Sequence, residues 1–173
     1  MKGGGVPVTC CPECGGPALP QPCEELFGAV LALDHSRRPP WGPLHGITVS
    51  CFLLQHPSRL PRNAPAFPCL MLHTYLDEGL TAVTRLIGRA RRSNSHRSRG
   101  LQLPEIDTGA PEPHLAPSPT DFGVTIHDVG QDGTFPADGF PERITAWASD
   151  IITAWCSRNP GTCPNPGAHR SPR

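Results

Sequence analysis

Apolar positions recur at helical spacing in four stretches of the chain. From Cys23 onward Leu26, Phe27, Val30, Leu31 and Leu33 are spaced mostly by three and four, with Glu24 and Glu25 in the first turn. His35 to Pro40 ends this helix, because two prolines cannot continue it. A second helix runs from Pro43 or Leu44 to Gln55 or His56, where Pro57 enforces the stop. After a Pro-rich bend over 57–65, Leu72, Leu76, Leu80, Val83, Leu86 and Ile87 form the stripe of a third helix over about 67–92. The fourth covers about 141–157, with Ile144, Trp147, Ala148, Ile151 and Trp155 on one face.

Between the third and fourth helices the pattern is lost. Residues 93–120 are Pro-rich and read as a flexible loop, and Phe122 to Val129 read as a short extended segment. Asp132-Gly133 and Asp138-Gly139 mark turns. Residues 1–9 and 158–173 read as disordered ends. The expected architecture is mainly α: about four helices in a small bundle, with an N-terminal knuckle and a Pro-rich loop between helices three and four. A single domain, 10–157, would hold all of them.

Composition narrows the function classes. The 173 residues include 23 prolines and 18 glycines, together about twice the usual share. Fifteen basic and fifteen acidic side chains cancel, which argues against a general polyanion binder. No window is apolar enough to span a bilayer, and the first residues lack a secretory core, so a soluble cytoplasmic protein is expected. Eight cysteines then need a role other than disulfides. Four of them, Cys10, Cys11, Cys14 and Cys23, crowd into a segment with almost nothing apolar to build a core. That clustering points to metal ligands.

Cys11-Pro12-Glu13-Cys14-Gly15-Gly16 is the most specific chemistry in the chain. A tight turn sets two thiolates on one side, and glycine lets the backbone amides turn toward the sulfurs. A redox dithiol would instead open a helix after a strand, and Gly-Gly-Pro does not. Cys23 is the natural third ligand, and Cys10 could stand in for Cys11 only with poorer spacing. Zinc prefers four ligands. The fourth is sought among histidines: His45 first, then His56, then His35 or no histidine at all. His45 and His56 share one helix face about 16 Å apart, so one ion cannot take both.

Taken with these residues, Cys23-Glu24-Glu25-Leu26-Phe27, the run from Leu44 through Gln55-His56-Pro57-Ser58, and the Trp147-to-Trp155 helix resemble an uncharacterised bacterial family. That family joins a CPxCG knuckle to a helix ending in Gln-His-Pro. The resemblance implies a helical fold and a zinc site, gives His45 and His56 each a counterpart, and implies no reaction.

Other groupings carry less. Cys156, Cys163 and His169 are irregularly spaced for a second metal site. Asp34-His35 and His127-Asp128 are sequence neighbours, which is no evidence of a catalytic dyad. Six arginines between 85 and 99 suit a helix C-terminus as well as a phosphate backbone. The expectation is therefore a structural zinc held by Cys11, Cys14, Cys23 and His45 in a binding or scaffolding protein, with no catalytic residue assigned. A zinc-dependent hydrolase with an open metal position, or an arginine-mediated nucleic-acid binder, are the alternatives. A protein partner is compatible with this reading, a membrane partner is not.

Overall fold

The computed structural model describes residues 10–18, 20–60, 65–93 and 117–159. They form six α-helices: α1 (Cys23–His35), α2 (Trp41–Gln55), α3 (Ala66–Glu78), α4 (Leu80–Ser93), α5 (Ile126–Val129) and α6 (Phe140–Arg158), with a 3₁₀ turn at Pro57–Arg59. Among the described residues there is no strand, only isolated bridges at Cys10–Pro17 and Gln131–Thr134. No described helix is long and apolar enough to cross a membrane. Residues 1–9, 160–173 and most of the Pro-rich loop lie outside the described residues; the C-terminal end expected to be disordered from 158 instead begins ordered, since α6 runs through Arg158 and Asn159 caps it.

The mainly helical expectation stands, but the helix count rises from four to six. The third expected helix is two. Gly79 takes φ +79°, a left-handed geometry open to glycine at little cost, and ends α3 before α4 restarts at Leu80. The segment expected to be extended contains α5 instead. Thr125 and Asp128 form a reciprocal capping box: the Asp128 carboxylate accepts the Thr125 amide at 2.7 Å, and the Thr125 hydroxyl accepts the His127 amide at 3.3 Å. A box spaced Thr-x-x-Asp satisfies otherwise orphaned amides and outweighs the β-propensity of the flanking valines.

Helix α2 is the centre of the molecule, packed against α1, α3 and α6. Its buried residues, among them Leu44, Ile47, Cys51, Phe52 and Leu54, occupy more than one face, as a helix enclosed on several sides requires. The hydroxyls of Thr48 and Ser50 donate to the carbonyls of Leu44 and Gly46 and are thereby satisfied within the helix. Helix α6 brings Ile144, Trp147, Ala148, Ile151 and Trp155 into the core, the stripe its sequence predicts. Gln55 locks the two helices together. Its Oε1 accepts the Trp147 indole N–H at 2.9 Å, and its Nε2 donates to the Val124 carbonyl at 2.7 Å. Trp155 adds a second link, donating to the Leu54 carbonyl at 3.2 Å.

The connection from α1 to α2 is only five residues long, so the two helices run antiparallel. This sets their register. Phe27 and Phe52 stack across the pair with ring centroids 3.8 Å apart. Toward one end of the hairpin, Cys23 lies by His56. Toward the other, His45 meets Asp34, with Nδ1 3.2 Å from Oδ2. The Asp34 carboxyl is enclosed, and its Oδ1 has no partner among the described residues. Burial raises its pKa, and the bond to His45 opposes that shift.

Candidate metal centre

The knuckle is a compact turn built by its own backbone. The Cys11 amide donates to the Gly16 carbonyl at 2.7 Å, and the Gly15 amide returns to the Cys11 carbonyl at 2.9 Å. Gly15 sits at φ +77°, where a side chain would be strained. The x position of the CPxCG motif has a role of its own. The Glu13 carboxylate accepts the Ser58 amide at 2.9 Å and the Ser58 hydroxyl at 3.0 Å, fastening the knuckle to the turn that follows His56. Glu24 and Arg59 pair beside it.

Four donor atoms converge at this point. Those of Cys11, Cys14, Cys23 and His56 all lie within 4.8 Å of one another, with Cys14, Cys23 and His56 buried. Cys11 Sγ is 3.6 Å from His56 Nε2, and Cys14 Sγ is 3.6 Å from Cys23 Sγ. The cluster could hold a metal ion. A cleft lined by Cys10, Pro12, Glu13, Pro22 and Glu24 borders it on the outside.

His45, the fourth ligand expected from sequence, is not among these atoms. It lies at the opposite end of α2, half-exposed and paired with Asp34. The antiparallel hairpin is the reason. The start of α1, which carries Cys23, lies beside the end of α2, so the residue presented to the sulfurs is His56. His35, the third candidate, is exposed at the last turn of α1. Cys10 is exposed and stands outside the cluster. Of the further cysteine grouping, Cys163 and His169 lie outside the described residues.

His56 is oriented from behind. Its Nδ1 donates to the Phe52 carbonyl at 3.0 Å, and its ring stacks on that of Phe52 with centroids 4.1 Å apart. A carbonyl only accepts, so Nδ1 carries a proton, which leaves Nε2 as the nitrogen turned toward the sulfurs. Pro57 ends the helix directly after it.

The sulfurs are electrostatically unequal. The bond from Cys23 holds the Cys14 thiol down at about 4 against the cost of burial, helped by His56 and the Gly16 amide. The same bond, burial and the neighbouring Cys14 and Cys11 charges push Cys23 above its ordinary range. Metal binding requires both thiols as thiolates, so a bound cation would displace any proton held between them. One further group touches the cluster: His127 Nε2 is 3.5 Å from Cys23 Sγ. Sequence reasoning assigned His127 no such role. The Thr125-x-x-Asp128 capping box was the available signal for a helix there.

No curated protein and no solved structure matches this chain. The sequence profile of a family of unknown function, DUF5946, matches residues 9–156, a span that holds both the knuckle and the two tryptophans of α6. The protein belongs to that family.

Proposed function

We propose that Cys11, Cys14, Cys23 and His56 hold one zinc ion as a closed structural site, in a small helical protein that binds or scaffolds a partner. The observation that carries this reading is the spacing of the donors. Zinc–sulfur bonds of about 2.3 Å and zinc–nitrogen bonds of about 2.0–2.1 Å, set tetrahedrally, put ligand atoms roughly 3.6–3.8 Å apart. Two of the six separations, Cys14 Sγ–Cys23 Sγ and Cys11 Sγ–His56 Nε2, are 3.6 Å and agree with that figure, and all six lie within 4.8 Å. The carbonyl behind His56 is the kind of outer partner that zinc-binding histidines use to fix their tautomer.

A closed site suits the chemistry of the segment it fastens. The described residues between 10 and 22 bury few apolar side chains, so contacts alone hold them weakly to the helices. Structural zinc contributes ~10–16 kcal/mol in small peptides, ample to order such a stretch. A hydrolase would keep one position open for water. Here an oriented imidazole stands in fourth place, which favours the structural role.

Chelation tests the reading. Stripping the metal should lower the melting temperature and open the chain to protease at Glu13 and at Arg59, which pairs with Glu24 beside the knuckle, while re-adding zinc restores both. Identical melting and cleavage with and without chelator would count against it.

A further inference from the structure

His127 lies outside the four-donor set yet touches one of its sulfurs. Its Nε2 is 3.5 Å from Cys23 Sγ, across 104 positions of sequence. The ring is set there by two independent features. The Thr125–Asp128 capping box fixes the turn that carries it. On its other side is Gly16, where a Cβ would lie 3.2 Å from His127 Cδ2 and 3.2 Å from Thr125 Oγ1, so the bare backbone of the knuckle makes room for the ring.

Three thiolates and one neutral imidazole around a divalent ion leave one excess negative charge. Hydrogen bonds to the sulfurs offset it. For Cys23 the group in reach is His127. The same ring also lines an outer cleft with Gln21, Leu26, Asp132 and Gly133, so it stands between that cleft and the buried Cys23 sulfur. We propose that His127 is a positioning residue of the metal centre: its ring donates Nε2–H to the Cys23 thiolate, holds that ligand in place and shields it from small electrophiles. The inference rests on the metal-site reading above. It makes α5, and through it α6, part of what keeps the metal in.

The test uses the full-length chain, loaded with zinc, as wild type, His127→Phe and His127→Gln. Phenylalanine keeps the ring's bulk and loses the donor, whereas the glutamine amide can reach the position of Nε2. Each protein is exposed to limiting iodoacetamide. Alkylation of Cys11, Cys14 and Cys23 is read by peptide mass spectrometry, and zinc release by a chromogenic chelator. Outer partners of metal ligands are typically worth about 10–100-fold in affinity. For His127→Phe the expected result is about tenfold faster zinc release, with a rise in Cys23 alkylation relative to Cys11, and His127→Gln restores most of both. Unchanged rates in His127→Phe with one zinc per chain would overturn the inference and leave the metal site standing. A uniform rise at all three cysteines that His127→Gln does not reverse would also overturn it, since that is general loosening. A wild-type chain that takes up no zinc would overturn the metal-site reading and this inference together.

Discussion

His56→Ala should release the metal, and His45→Ala should leave it bound. The two histidines lie on the same helix, and only their places along the hairpin separate them. His56 Nε2 stands 3.6 Å from Cys11 Sγ with its Nδ1 proton already engaged by Phe52. Removing it deletes one of four donors. Outer partners alone are worth about 10–100-fold in metal affinity, so losing a ligand should cost well over 100-fold. His45 instead pairs with Asp34 at the far end of α2. Its loss leaves the enclosed Asp34 carboxyl without its partner, a cost to the fold of about 1–3 kcal/mol, and removes no donor from the cluster. Zinc per chain by elemental analysis, with a competition titration against a chelator, checks both variants. Equal retention by the two would contradict the assignment.

Trp147→Ala should have the largest effect on the apo fold. Trp147 is fully buried between α6 and α2, and truncating such a side chain typically costs about 3–5 kcal/mol. Here the loss also strips Gln55 Oε1 of its partner inside the core, which places the variant toward the upper end. Domains of this kind are stable by only about 5–15 kcal/mol, so the variant should lose about a third or more of the fold's stability. Urea unfolding followed by circular dichroism measures this. Trp147→Phe, which keeps an aromatic ring but drops the indole donor, should fall between the two. A loss below about 1 kcal/mol for the alanine variant would mean that α6 is not docked on α2 as described.

Much of this was legible in the residues. Prolines at 39, 40 and 57 bracket α2 closely, the 144–155 stripe is the buried face of α6, and Cys11, Cys14 and Cys23 do come together. The choice between His45 and His56 needed one step more. A five-residue connection between helices implies an antiparallel pair, and such a pair sets the first residue of α1 beside the last of α2. Spacing along α2 alone does not contain that fact. Other misses were local chemistry overriding pattern: Gly79 breaks a continuous apolar stripe, and the Thr125–Asp128 box turns an extended-looking stretch into α5. Gln55 was hidden for a different reason. A polar residue in an apolar run carries no mark of its partner, and only the packing of α6 reveals that it joins Trp147 to Val124. It also gives the Gln-His-Pro sequence a physical meaning. The first residue ties the helix to the core, the second faces the sulfurs, and the third ends the helix.

X-ray absorption at the zinc edge of the zinc-loaded protein reaches the central claim most directly. The expected spectrum shows one ion per chain with three sulfurs at about 2.3 Å and one nitrogen at about 2.0–2.1 Å, unchanged in His45→Ala. An oxygen in the shell, fewer than three sulfurs, or a spectrum altered by His45→Ala but not by His56→Ala would contradict it.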